Sequence, residues 1–447
     1  MRLLGRIFLH SRESTALWLK HFQTPLEWAN VFEKDIYHRL LRQAIVSLSL
    51  HNHQSIASID AIDWNACALP LDCPYQPFVD HRFLLALEQS GCVSEETGWL
   101  PSHIRLKQNG ETVGVVPTYL KYHSRGEYVF DYSWADAFHR AGRNYYPKYQ
   151  VCVPFTPVTG ARILVKHTQA KREIESSLIQ QIIDLTDNMG ASSAHITFMK
   201  QSEWSTTKFA GLLQRMDLQF HWTNEEYDSF DDFVSQLTSK KRKNIRRERR
   251  EVMENNLHIE WLTGSDLREK HWDVFYEFYL ETSARKWGSA YLNREFFSLV
   301  STTMSERILL ILCRRGRKYI AGALNFLGDE TLYGRNWGCI EHYPFLHFEL
   351  CYYQAMEYAI QHRLQSLEAG AQGGHKFARG YRAEPTYSAH YIANTQFRAA
   401  VAQFLADEVQ YVRRDLEYLD SQSPFKERTL SIPGSDEAKT LIDVREA

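Results

Sequence analysis

Paired cysteines, metal-ligand spacing, long apolar runs and a dominant charge are all missing from this 447-residue sequence. Its seven cysteines (Cys67, Cys73, Cys92, Cys152, Cys313, Cys339, Cys351) form no C-x-x-C pair, and most sit in apolar company such as Val151-Cys152-Val153. That usage excludes a disulfide framework and fits buried, reduced thiols. His and Cys nowhere gather at ligand spacing, so no metal site is expected. No run approaches the roughly 18 apolar residues needed to cross a bilayer. The start, MRLLGRIFLHSRES, is basic and briefly apolar. Arg6 interrupts it and no small-residue cleavage site follows, so it makes a poor secretion signal and a cytoplasmic location is expected. Walker A, H-E-x-x-H and G-x-S-x-G patterns are absent, which removes support for kinase, zinc and hydrolase readings. Lys+Arg 52 against Asp+Glu 54 leaves a net charge of −2. Attraction to phosphates must therefore come from local clusters.

What is present is the composition of a folded protein, with 44% hydrophobic and 24% charged residues over a length that suits two domains plus extensions. The 24 Tyr, 24 Phe and 11 Trp point to aromatic-rich cores and an aromatic-lined cleft. Residues 1–54 read as a loosely amphipathic helical extension, through Trp18, Leu19, Phe22, Trp28, Val31 and Phe32. An α/β unit follows over 55–225, a second over 226–425, and a flexible tail over 426–447. In the first unit, Ile104–Lys107 and Val113–Tyr119 flank Asn109-Gly110 and predict a hairpin. Tyr128–Tyr132 reads as a further strand, Trp134–Arg140 as a helix, Gln150–Pro154 as a strand, 173–188 as a helix and His195–Met199 as a strand. In the second unit, Lys270–Glu281 and Phe348–His362 read as helices. Ile308–Cys313, Tyr319–Leu327, Thr331–Trp337 and Ser366–Ala369 read as strands. The halves echo each other: a hairpin with Gly in its second strand (Gly114, Gly322), an aromatic strand ending in Trp (Trp134, Trp337), a helix, a short strand and a Gly-containing loop.

The segment richest in chemistry is LEAGAQGGHKFARGYRAEPTYSAH, residues 367–390. Its glycines let backbone N–H groups approach a ligand closely, and His375, Lys376, Arg379 and Arg382 supply cations suited to a phosphate or a developing oxyanion. Glu368 and His375 are candidate proton carriers for an attacking amine, with Lys376 the third catalytic candidate. Gln372, Gly373, Gly374, Arg379 and Tyr381 are candidate substrate contacts. Between the Trp337 strand and the following helix, GCIEHYPFLHFE offers Glu341, His342, His347 and Glu349; a lone His or Glu there is more often a cap or a supporting group. KKRKNIRRERR, residues 240–250, carries eight Lys or Arg in eleven residues. On a helix Lys240, Lys243, Arg247 and Arg250 share one face and Ile245 and Val252 mark an apolar side. Lys240, Arg242 and Arg246 could thus hold phosphates of a nucleotide, CoA or tRNA, or could simply pair with the acidic residues before the run.

The stretches GEYVFDYSWADAF, YYPKYQVCVPFTPVTGAR, SKKRKNIRRERR and LEAGAQGGHKFARGYRAEPTYSAH resemble the FemAB-like peptidoglycan biosynthesis/recognition family of the GNAT superfamily, over roughly residues 56–425. The second half is more remotely similar to Fem peptidyltransferases, whose Gly-Gly turn and Phe-Lys-Lys-Gly-Phe-like motif correspond here to Gly373-Gly374 and Phe377-Ala378-Arg379-Gly380-Tyr381. Ala378 and Arg379 stand where that motif has two lysines. The resemblance implies tandem GNAT-like α/β (α+β) domains with mixed sheets, and acyl transfer to an amine, including a peptidoglycan-related acceptor. It implies acyl-CoA or aminoacyl-tRNA as co-substrate, with no tightly bound cofactor. Arg335-x-x-Gly338-x-Ile340 only approximates the GNAT pyrophosphate signature, so both donors stay open. The rival expectation is a non-catalytic RNA- or cell-wall-precursor-binding protein that uses residues 240–250.

Overall fold

The computed structural model describes residues 48–426, except 169, 287, 288, 371 and 372. The helical extension expected over 1–54 lies outside the described residues as far as 47, and the expected tail does so from 427. Residues 48–53 are not helical. They form β1 (Leu48–His53), which pairs antiparallel with β3 (His103–Gln108). The run LSLHNH has few strong helix formers, and the edge of β3 satisfies its backbone instead.

The first half continues with β2 (Trp99–Pro101), β4 (Glu111–Val116), β5 (Thr118–Lys121), β6 (Lys148–Val151), β7 (Leu164–Val165), β8 (Ser193–Met199) and β9 (Leu213–Thr223). The second half has β10 (Leu257–Leu262), β11 (Ile308–Arg315), β12 (Lys318–Leu327), β13 (Thr331–Cys339), β14 (Ser366–Glu368) and β15 (Arg382–Ile392). The Asn109-Gly110 hairpin is present, with both residues at positive φ (53° and 87°) as a tight two-residue turn requires. The strand expected over Val113–Tyr119 is cut at Pro117, which has no N–H for a ladder. β4 stays in a four-stranded sheet, β1-β3-β4-β7, while β5 crosses into an eleven-stranded one.

The strand expected over Tyr128–Tyr132 is a loop, and helix Tyr132–Arg140 begins where it was to end. Glu127 and Asp131 are drawn inward to buried lysines, which breaks any alternation, and Trp134 sits on the helix. The internal echo survives in another form. The large sheet runs β10-β11-β12-β13-β14-β9-β15-β8-β6-β5-β2. Among the described strands two adjacent pairs are parallel, β6 with β8 and β13 with β14, each joined by a helix crossover. Each half therefore has the GNAT order of antiparallel strands, a helix and a parallel strand. Each half also gives its last strand to the other. β9 pairs with β14, and β15 lies between β9 and β8. One continuous sheet joins the halves.

β11 is apolar from Ile308 to Cys313, and these six residues are fully buried because helices cover both faces. Leu310 and Leu312 pack with Trp272, Phe275 and Phe297 of helices Glu269–Lys286 and Arg294–Met304. Leu309 and Ile311 pack with Tyr353, Ala355 and Met356 on the opposite face. Each such side chain contributes roughly 1.5–3 kcal/mol of burial. Gly338 fixes the seating of the first helix: a Cβ there would lie 2.0 Å from the Phe278 carbonyl oxygen.

Candidate active site

β13 and β14 stay together for only three pairs, Thr331 with Ser366 to Tyr333 with Glu368. β14 then ends and turns through Gly370, while β13 continues to Cys339. A bulge lies at the same point. Leu324 of β12 faces Asn336 and Asn325 faces Gly334, leaving Arg335 as the extra residue. Bulges increase local twist, and here the strands splay. The gap holds a cavity of about 410 Å³. One arm is lined by Tyr279, Thr282 and Ser283 of helix Glu269–Lys286, with Tyr291 and, from the first half, Tyr128 and Pro157. The other is lined by His347, Cys351 and Tyr352 and by Gly370, Gly373 and His375. Because those helices cover opposite faces, the cavity passes through the sheet.

Glu368, immediately before cavity-lining Ala369, is cross-strand neighbour to Tyr333 and to His221 of β9. Its Oε2 has no hydrogen-bond partner among the described residues and lies 3.9 Å from His221 Nε2. Burial pushes the Glu368 carboxyl up to about 8, against the pull of Arg335, Arg162 and Lys376. Burial lowers Lys376 to about 8, and its Nζ donates to the Gly370 carbonyl at 2.6 Å. Burial and Lys376 lower His221 to about 4, so this imidazole is neutral at physiological pH. The result is a neutral carboxyl at pH 7 that ionises close to pH 8, a suitable range for taking a proton from an amine.

His375 Nε2 lies 2.8 Å from the Tyr352 hydroxyl. His347 packs edge-on to Trp337 (centroids 5.1 Å) and against Tyr352 (5.4 Å). Together they build an aromatic mouth beside Gly373, whose φ of 120° and contact with the His375 ring leave no room for a side chain. The short turn Gly374–Arg379 continues from it. The expected residues that meet at the cavity wall are thus Trp337, His347, Gly373 and His375, with Glu368 and Lys376 just behind. Others lie apart. Glu341 pairs with Arg315 (3.0 Å) and Lys318 (3.3 Å) on the surface, and His342 contacts Arg285 (3.4 Å). Arg379 is committed to Glu248 (2.9 Å), Tyr353 (3.0 Å) and the Phe348 ring (3.5 Å), so it does not face the cavity. Tyr381 is fully buried against Tyr352. Gln372 lies outside the described residues.

Helix Ser239–Met253 buries Ile245 and Val252 and exposes Lys240, Lys243, Arg246, Arg247 and Arg250. Arg242 donates to the Ser235 carbonyl (3.1 Å), and Arg246 makes a loose exposed pair with Asp231 (3.4 Å). The Glu248–Arg379 pair ties this helix to the turn at the cavity mouth. Some cations of the basic run are thus paired, and an exposed row remains.

Sequence reasoning missed Arg335, Tyr128, Tyr279, Tyr291, Asn325 and Asn336 as cavity residues. Arg335 had drawn notice only as part of a pyrophosphate-like motif. Its guanidinium instead turns into the fold and donates to the Phe155 carbonyl. Residues 382–390, expected to extend the Gly segment, are strand β15, and His390 is buried far along it beside His195 (2.7 Å). Among the described residues no group of three or more His, Cys, Asp or Glu could hold a metal ion, and no helix is long and apolar enough to cross a membrane.

Comparison with curated proteins finds no match to this sequence. Among solved structures the fold is similar to FemX, at 11% identity and TM-score 0.48, covering 79% of this chain and all of that one. It is also similar to a tandem GNAT protein from the clavulanic acid biosynthesis pathway, at 10% identity and TM-score 0.44, covering 78% of this chain and 99% of that one. L-PGS from Bacillus licheniformis is similar at 8% identity and TM-score 0.44, over 75% of this chain and 98% of that one. The family profile described as peptidoglycan biosynthesis/recognition, FemAB-like, matches residues 55–427, and the chain belongs to that family.

Proposed function

We propose that this chain is an N-acyltransferase, moving an acyl or aminoacyl group from acyl-CoA or aminoacyl-tRNA to an amine, with peptidoglycan-related precursors as the acceptor class. The observation that carries the reading is the cavity through the β13–β14 splay, with the ionisable Glu368 beside it. Such a passage lets donor and acceptor reach one carbonyl carbon from opposite faces, which converts an encounter of two molecules into an oriented attack. In this reading residues 226–425 hold the reacting groups, and residues 55–225 contribute a wall through Tyr128 and Pro157.

The amine nitrogen attacks the donor carbonyl and a C–N bond forms. Ionised Glu368 takes the amine proton, directly or through one water, with His375 on Tyr352 as the second candidate carrier. The C–S bond of a thioester, or the C–O bond of an aminoacyl ester, breaks, and the proton leaves with the departing sulfur or oxygen. Lys376 and the backbone N–H groups of Gly373 and Gly374 are assigned to the developing oxyanion. The exposed row on helix Ser239–Met253, with Lys240 and Arg246, is assigned to donor phosphates.

Thermal unfolding with acetyl-CoA, longer acyl-CoAs, CoA alone and a tRNA mixture tests the donor, since a ligand bound only by the folded chain raises the midpoint. A shift with one acyl-CoA or with aminoacylated tRNA is expected, followed by transfer to an amine. No shift with any of them, or turnover untouched in both His375→Ala and Lys376→Ala, overturns the reading. Salt-sensitive tRNA binding without any transfer favours the RNA-binding rival instead, which rests on the same exposed cations.

A further inference from the structure

The long helix Thr395–Ser421 buries Val401, Leu405 and Val412 against β9 and β15. The rest of such a helix should be polar, yet one flank is not. Phe397, Phe404, Tyr411 and Tyr418 stand seven residues apart and so share that flank, drifting only about 20° per step. Phe397 is covered by Phe138, with ring centroids 4.8 Å apart. The other three are uncovered: Phe404 is 49% exposed, and Tyr411 and Tyr418 are each 64% exposed. Beside them Arg215 joins Glu408 of this helix (2.8 Å) to the Phe130 carbonyl (2.8 Å). The exposed, stacked rings of Phe130 and Tyr132 extend the apolar area from there. Contiguous apolar surface of this kind marks an interaction site, whereas scattered single residues do not.

Charge decides which partner fits. Exposed Asp407 and Arg414 lie on the same flank, and the Arg414 guanidinium sits 5.7 Å from the Tyr411 ring. Neither has an ion pair among the described residues. They stand equally far on either side of the midpoint between Gln410 and Tyr411. A two-fold axis through that midpoint runs two copies of the helix antiparallel. It sets Asp407 opposite the partner's Arg414 and Arg414 opposite the partner's Asp407, with Phe404 and Tyr418 meeting at each end. The patch is therefore self-complementary, as an isologous interface must be. An unrelated partner would not require charges placed evenly about the aromatic centre. A net charge of −2 sets up little long-range repulsion between copies. At 27 residues the helix is about 40 Å long, which suits a standard interface of about 800 Å² per partner.

We infer that the chain forms a two-fold dimer through this flank of helix Thr395–Ser421, with the two helices antiparallel. No residue of the helix lines the β13–β14 cavity, so the inference stands apart from the transferase reading.

Sedimentation velocity of the full chain over a wide range of concentrations tests it. The wild type should sediment as a dimer that dissociates on dilution. Asp407→Arg alone, or Arg414→Asp alone, sets like charges opposite each other on both sides of the axis and should weaken association roughly tenfold or more. Combining the two substitutions in one chain should restore it. Mixing the two single variants should restore it as well, since one then carries only cations at these positions and the other only anions. Rescue in the mixture excludes misfolding as the cause of the loss. Tyr411→Ser, at the centre of the stripe, should weaken association without any such rescue. A monomer at every concentration, a dimer indifferent to both single reversals, or failure of both the double variant and the mixture to restore it overturns the inference.

Discussion

The sheet contains a parallel strand pair twice, and the two copies have been put to opposite uses. At β13 and β14 the strands part, and the gap is an open cavity beside Glu368, whose Oε2 has no hydrogen-bond partner among the described residues. At β6 and β8 the loop after β6 folds back into the gap. Gly160 bridges to Met199, and Arg162, 1% exposed, donates to the carbonyls of Thr197 (2.9 Å), Val158 (2.6 Å) and Ala161 (3.0 Å). Glu203 then accepts the N–H groups of Arg162 and Ile163 at 3.0 and 2.9 Å. Nearby, Lys148 is fully buried between Glu127 and Asp131, each of which has at least one ion pair. The same scaffold is thus closed by its own loop in one half and open as a cavity in the other. Buried oxygens without a hydrogen-bond partner among the described residues occur in both, Asp131 Oδ1 and Gln150 Oε1 in the closed half and Glu368 Oε2 in the open one. Function lives in the site a fold leaves open, not in the fold itself.

The comparison can be broken one half at a time. The largest effect is expected from Glu368→Gln, which should lower turnover by roughly 10²–10⁴-fold, the range of one proton carrier, while the chain still folds. Next is Lys148→Met in the closed half. It leaves buried Asp131 without its cation, while Glu127 keeps Lys121, and should cost about 3–5 kcal/mol in denaturant unfolding, with activity per folded molecule kept. Gly338→Ala should lower both stability and turnover, because its methyl group would drive helix Glu269–Lys286 off β13 at the Phe278 carbonyl.

A subtler effect lies in pH. Glu368 has a folded value of about 8 against 4.5, so the stability it contributes is full below 4.5 and is lost as pH rises through about 8. Glu368→Gln should therefore match the wild type in thermal midpoint at pH 4 and exceed it above pH 8. With Lys376 also near 8 and needed protonated, the rate profile should be a narrow bell around pH 8. The smallest effect belongs to Lys240→Ala with Arg246→Ala. Stability should change by less than about 0.5 kcal/mol, while donor binding weakens and loses part of its salt dependence.

Much of this was legible in the sequence, for identifiable reasons. The run ILLILC, the Asn109-Gly110 turn and the amphipathic basic helix are local signals, and the structure follows each of them. The Gly segment and Glu368 were legible because glycine and carboxyl chemistry concentrate there. The exchange of β9 and β15 was not, since pairing across more than 150 residues leaves no local mark. Nor was the place of Arg335 at the cavity wall, which arises from a bulge that no residue type announces. The same holds for Lys148, Glu127 and Asp131, which lie up to 21 residues apart and which only the fold brings together under cover.

The most direct test of the open-versus-closed contrast is hydrogen exchange on the full chain, with and without the acyl-CoA or aminoacyl-tRNA that most raises its thermal midpoint. Protection should appear at 334–339, 346–353 and 373–381, with residues 148–163 and 193–199 unchanged. Protection centred on 148–163 and 193–199, with the β13–β14 splay unaffected, would contradict the assignment of the reaction to the second half.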